Sequence, residues 1–140
     1  MAETIHLDLV TPDRRLVAAE VSELTAVAFE GEVGILPGHA NYMTILDLGE
    51  LSYIEDGAKK HLAVTGGFAE VTLDQGIRIM AEAAEFCDEI DLPRAKAACE
   101  RAERRVKDFD PATQEVDLIR AEAAMKRALL RLKVAEKSKR

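Results

Sequence analysis

Up to about residue 86, hydrophobic and polar residues alternate with a period of two in short runs such as "TIHLDLV", "LTAVAF" and "HLAVTGGFAEVTL", each closed by a turn signal. That period is what a strand with one buried face produces. Asp56-Gly57 and Asp74-Gln75-Gly76 are hairpin turns, because Asp and Gly suit the tight conformations that such turns need. Many short antiparallel strands at this spacing predict a sandwich or flattened barrel. From residue 88 the period lengthens. Leu92, Ala95, Cys99, Ala102, Val106 and Phe109 fall at steps of three or four, and Leu118, Ala121, Met125, Ala128, Leu132 and Ala135 do likewise. These are two amphipathic helices, with Asp110-Pro111 marking the break between them. The expected fold class is α+β, an antiparallel β-sandwich over residues 1–87 followed by a two-helix hairpin over 88–140. The helical seam is rich in alanine, which permits close approach but buries little area, so the hairpin is expected to dock weakly and to move.

Composition adds a charge division to this plan. Residues 1–86 carry 15 Asp or Glu against 5 Lys or Arg, whereas residues 87–140 carry 11 against 14, giving balances of −10 and +3 within the overall −7. A basic helical pair on an acidic β domain suggests that the helices meet an anion, either a nucleotide or an acidic protein face. Nucleic acid is not expected, since the helical half has one aromatic, Phe109, and lacks stacking platforms. The chain is 140 residues, without tryptophan, so its core is largely aliphatic. The start "MAETIHLDLV" lacks the basic and apolar regions of a secretory signal, and no apolar stretch reaches the ~18 residues of a spanning helix. The expectation is a protein on the cytoplasmic side that meets a membrane only through partners. Cys87 and Cys99, twelve apart with no CxxC, are expected to be reduced and structural.

Reagents for catalysis are missing. The stretch "EGEVGILPGHA" offers Gly31, Gly34 and Gly38 but not the lysine of a phosphate-binding loop, and Gly66-Gly67 lies inside a strand pattern, where it marks a bulge or a close backbone approach. His6, His39 and His61 sit on separate segments without metal-ligand spacing, and no serine has a G-x-S-x-G frame. Glu30 and Glu32, two apart on a strand edge, are not a catalytic pair. Gly and Pro fix the backbone of this loop, which suits it to presenting a shaped polar surface.

"FEGEVGILPGHANYMTILDLGEL", then "VTGGFAEV", then "AEAAEFCDEIDLPRAKAACERAERRV" closely resemble, in order and over essentially the whole chain, the epsilon subunit of bacterial and chloroplast rotary ATP synthases. The resemblance implies a sandwich of about ten strands in two sheets and a helical hairpin, with no catalytic centre and no obligatory cofactor. It implies a place in the central stalk, gripping the gamma subunit and touching the rotor ring of c subunits, on the cytoplasmic face of the bacterial inner membrane. The hairpin is then expected to inhibit ATP hydrolysis by meeting acidic surface of the beta subunits in the alpha and beta catalytic head. Glu32 matches a contact in the ring-facing loop, and His39 and Thr44 match positions facing gamma. Asn41, Tyr42 and Met43 depart from the Pro-Leu-Leu usual there.

"IDLPRA", Ile90 to Ala95, resembles the family's I/L-D-x-x-R-A motif, which in some members binds ATP. The resemblance implies ATP as a regulatory ligand, with Glu85, Ile90, Asp91, Arg94, Ala95, Arg101, Arg127 and Arg131 matching the ligand positions. Asp91 is a good N-cap and Pro93, a departure at a variable position, is tolerated in the first turn. Arg94 opposes the helix dipole there and wants an anion, either Asp91 or a phosphate. Arg127 and Arg131, four apart, can reach one polyphosphate. Two other readings compete: a free cytosolic adaptor whose basic hairpin binds an acidic partner, and a small metal-dependent enzyme using the histidines.

Overall fold

A computed structural model describes residues 3–108 and 115–139. The chain divides into two compact units, Met1–Phe86 and Cys87–Arg140. The first is all β, with strands β1 (Ile5–Val10), β2 (Arg15–Val21), β3 (Glu23–Ala28), β4 (Gly31–Ile35), β5 (Tyr42–Glu55), β6 (Ala58–Thr72), β7 (Gly76–Ala81) and β8 (Ala84–Phe86). Hydrogen bonding links them in the order β2-β1-β7-β6-β5-β3-β4, with β8 added to β6. All pairings are antiparallel except β1 with β7.

The family resemblance implies about ten strands, and the difference from eight lies in β5 and β6. These two run 14 and 15 residues in one unbroken register, interrupted between Leu46↔Gly67 and Leu48↔Thr65, where Asp47 and Gly66 do not pair. Split at that interruption, each strand counts as two segments, which makes ten. Gly66 and Gly67 hold φ values of +110° and +133°, open to glycine alone at low cost, and a Cβ on Gly67 would collide with the Met80 carbonyl. Of the two readings of this glycine pair, a bulge or a close backbone approach, the structure shows the close approach, and the register on either side of it is unbroken. The far end of the β5–β6 hairpin is closed by Asp56-Gly57, with φ of 51° and 80°, as the type of turn required.

Bending brings the inner faces together over one core. Leu7, Leu9, Val21, Leu24, Leu51, Leu62, Val71, Ile77 and Ile79 are sealed from solvent, and no tryptophan is needed to fill the space. Tyr53 is buried among them, and burial, followed by the nearby Glu55 charge, pushes its phenol up to about 12.

The second unit holds α1 (Leu92–Lys107) and α2 (Glu115–Ala135), with a short 3-10 turn at Glu136–Lys139. The two helices pack on each other across a short connection and so run antiparallel. Ala95, Cys99 and Ala102 from α1, with Ala121, Ala128, Val134 and Ala135 from α2, are buried. The expected alanine seam is present, with Val134 as an addition that the three-and-four spacing skipped. Burial and neighbouring Glu103 push the Cys99 thiol up. Cys87 and Cys99 are both free thiols. Phe109 and the break at Asp110-Pro111 lie outside the described residues.

The Tyr53 shift has a definite sign. The unfolded phenol ionises near 10 and the folded one only near 12, so the folded state holds its proton longer and loses stability as pH rises through that window. Denaturant midpoints should fall between pH 10 and 12, and the fall should shrink in Tyr53→Phe.

Candidate functional site

Two surfaces carry the residues singled out in the sequence, and each belongs to one unit. On the β unit, cross-strand register defines rows of side chains sharing a face. Leu9, Ile79 and Ala69 form one inward row, which Thr44 extends at its open end. The neighbouring outward row is unusual. Val10 lies opposite Met80, Met80 opposite Phe68, and Phe68 opposite Ile45, while the Phe29 N–H donates to the Ile45 carbonyl at 2.9 Å. An apolar stripe thus crosses four strands and the turn after β3 on the outside of the sheet. Phe29 is 77% exposed, Ile45 66% and Met80 50%.

Beside it runs a charged row, Asp8, Arg78 and Glu70, ending in exposed Met43. At its β1 end Arg15 Nε lies 3.2 Å from Asp8 Oδ1. Phe29, Glu30, Tyr42, Met43, Thr44, Ile45 and Phe68 border a shallow depression at one end of the stripe. Of the contact positions expected from the sequence, Thr44 belongs to this depression. Glu32 is exposed on the outermost strand β4. His39 lies in the β4–β5 loop with Nδ1 2.7 Å from the Ala40 carbonyl and its ring centroid 5.7 Å from that of Tyr42. The departures Tyr42 and Met43 therefore stand at the depression itself, where they add apolar and aromatic surface.

Sequence reasoning missed the stripe, although its signal was there. A half-buried strand should alternate apolar with polar, yet "YMTIL", "GFAEV" and "IRIMA" place Met43, Ile45, Phe68 and Met80 at the outward phase. Apolar residues at both phases of a strand with one face on a core mean that the other face expects a cover.

The histidines do not converge. His6 and His39 line one polar cleft, His6 with Nδ1 3.1 Å from Glu20, whereas His61 sits on β6 with Nδ1 3.0 Å from Glu50. Among the described residues no group of three His, Cys, Asp or Glu is placed to hold a metal ion.

On the helical unit, Asp91 caps α1, its Oδ1 accepting the Arg94 N–H at 3.2 Å, and Pro93 occupies the first turn without loss of a helical hydrogen bond. Asp91 thus engages the backbone of Arg94, and among the described residues the Arg94 guanidinium has no ion pair. Ile90 and Ala95 are buried, Ala95 completely. Arg94, Arg101 and Arg127 are exposed, and Arg131 is half-buried and engaged. Glu85, half-buried on β8, belongs to the β unit, while the other seven belong to the helical one. At ~100° per residue, Arg94 and Arg101 precede the buried seam of α1 by about a third of a turn, and Arg127 and Arg131 precede that of α2 by a similar angle. Because the helices are antiparallel and face each other, equal leads bring all four arginines to the same side of the hairpin.

Comparison with known proteins matches both units. The model of the ATP synthase delta/epsilon chain β-sandwich domain covers residues 4–87, and that of the delta/epsilon long α-helix domain covers 88–136. The ATP synthase epsilon chain of Geotalea uraniireducens is 48% identical over 111 residues, spanning 79% of this chain and 80% of the relative. A chain in the cryo-EM structure of the Euglena gracilis mitochondrial ATP synthase, comprising OSCP, F1 and c-ring, superposes with a TM-score of 0.79 at 27% identity over 98% of this chain and 82% of that one. A chain in the central stalk and c-ring of the Tetrahymena thermophila mitochondrial enzyme shares the fold, with a TM-score of 0.62 at 16% identity over 95% of this chain and 97% of that one.

Replacing the cap tests the local account of α1. Asp91→Ala should cost about 1 kcal/mol at the start of the helix, read as faster hydrogen exchange of the Arg94 amide with the β unit unchanged.

Proposed function

Because this chain belongs to the ATP synthase delta/epsilon family and is an epsilon-type subunit of the central stalk, we propose that it does no chemistry itself and docks on the gamma subunit through the apolar stripe. The single observation behind this reading is the outward row Val10, Met80, Phe68, Ile45 and Phe29, an apolar band on a sheet face that otherwise carries charge. Apolar area of that kind gains about 25 cal/mol per Å² when covered, and the adjoining Asp8, Arg78 and Glu70 row supplies orientation. The Glu30–Glu32 hairpin, acidic and exposed on the outermost strand, is the surface we assign to the c-ring, with Glu32 as its polar contact. His39, fixed against Ala40 and Tyr42, and Thr44 complete the gamma-facing edge.

The hairpin regulates. Its four arginines on one side suit two anions, the phosphates of ATP or the acidic surface of the catalytic head. Only one can occupy them at a time, so ATP shifts the hairpin away from its inhibitory position by its differential affinity for the two states. Arg94, Arg101, Arg127 and Arg131 hold the phosphates, Asp91 fixes the start of α1, and Ile90 and Ala95 seat it. No described helix is long and apolar enough to cross a membrane, and attachment at the cytoplasmic membrane face runs through the partner subunits.

Two measurements check this. Ile45→Arg should abolish binding to isolated gamma while leaving the melting temperature within a few degrees, since the side chain is outward; retained binding sinks the stripe as the docking face. Adding the protein to epsilon-free catalytic heads should slow ATP hydrolysis, less so as ATP rises, and Arg127→Ala with Arg131→Ala should remove both inhibition and its ATP dependence. Inhibition indifferent to ATP removes the nucleotide from the mechanism and leaves the stalk role intact.

A further inference from the structure

The two helices repeat each other. Residues 94–105 read "RAKAACERAERR" and residues 120–131 read "RAEAAMKRALLR", identical at seven of twelve positions. The shared positions are Arg94 with Arg120, Ala95 with Ala121, Ala97 with Ala123, Ala98 with Ala124, Arg101 with Arg127, Ala102 with Ala128 and Arg105 with Arg131. Burial repeats with them, since Ala95, Ala121, Ala102 and Ala128 are all sealed in the seam. Equal helical segments packed antiparallel are related by an approximate two-fold axis across the pair.

That axis organises the arginines. Positions 94, 101 and 105 lie within about 40° of helical phase on α1, and 120, 127 and 131 do the same on α2. By the phase argument already given, both rows emerge on one side of the hairpin and run in opposite directions, each about 16 Å long. Between them lie the small side chains of Ala98 and Ala124 and the alanine seam, while Ala97 and Ala123 fall on the outer side of each row. Arg94, Arg101, Arg105, Arg120 and Arg127 are exposed, and none has an ion pair among the described residues. Among the described side chains, Asp91 at the cap beside Arg94 and Asp108 at the other end bring carboxylates to the α1 row; Glu100, Glu103, Glu122 and Glu136 fall at other phases.

A triphosphate is shorter than these rows and, attached to a nucleoside, has a direction that a two-fold face does not. We propose that this face binds linear inorganic polyphosphate longer than a triphosphate. Such a chain repeats one anionic unit and is symmetric about its midpoint, so each half meets an equivalent row of guanidinium forks, whose planar donors suit phosphate oxygens. The inference deepens the nucleotide reading by using the same four arginines and extending them with Arg105 and Arg120, and it needs no adenine pocket.

Calorimetry on the full chain at fixed ionic strength, with ATP, triphosphate and progressively longer linear polyphosphates, tests it. Affinity should rise about tenfold or more beyond triphosphate. Arg105→Ala with Arg120→Ala should remove that rise while triphosphate and ATP still bind as in the parent and helical circular dichroism is kept. Affinity that does not grow with length, a rise that survives in the double variant, or equal binding of polyglutamate of the same charge each overturns the proposal. The last outcome would assign the face to acidic protein. Length-dependent binding without ATP binding would remove the nucleotide reading alone, and ATP binding without length dependence would remove this one alone.

Discussion

The β unit depends on one pairing, that of β5 with β6. These strands are long enough to pass through both ends of the sheet, and β3, β7 and β8 all attach to one or the other. Midway along their ladder Asp47 and Gly66 do not pair, and the positive φ of Gly66 and Gly67 lets the sheet turn there and close over its aliphatic core. Closure in turn decides which face is inward. Once Leu9, Ile79 and Ala69 are committed to the core, Met80, Phe68 and Ile45 have no choice but water or a partner.

The two units solve opposite problems. In the sandwich, large aliphatic side chains from distant parts of the chain fill one interior, and such non-local packing gives a rigid platform on which exposed side chains keep fixed spacing. In the hairpin, the contact is local and made of alanine, so its stability owes more to helix propensity and capping than to buried area. Function follows that difference. The proposed docking stripe needs fixed geometry across four strands and a turn, and the proposed exchange of one anion for another needs a modest barrier between states.

Much of this was legible in the sequence because local chemistry dictates it. The period change near residue 88, the turn at Asp56-Gly57, the close backbone approach at Gly66-Gly67 and the cap at Asp91 each depend on a few neighbouring residues. The strand count was less legible, since nothing in "YMTILDLGELSYIE" announces that one strand will serve both ends of a bent sheet. The stripe was hidden for a related reason. Met43, Ile45, Phe68 and Met80 are far apart along the chain, and only cross-strand register shows them to be neighbours. Likewise the spacing of Leu118, Met125 and Leu132 missed Val134, because the seam of a helix drifts from any fixed step of three or four over five turns. The arginines illustrate the converse: their helical phase could be read directly, and the structure added that both helices lead with the same angle.

The alanine seam has a consequence for how such a chain can change over generations. In the sandwich the commonest damaging substitution is truncation, because losing methyl groups from Leu62 or Ile77 leaves a cavity. At Ala95, Ala102, Ala121 and Ala128 there is almost nothing to truncate, and the hazard is growth, since any larger side chain wedges the helices apart. Mutational drift therefore presses on the two units from opposite directions. The sandwich tolerates exchange among large aliphatics, while the hairpin holds its seam to the smallest residue and leaves its variation to the outer faces.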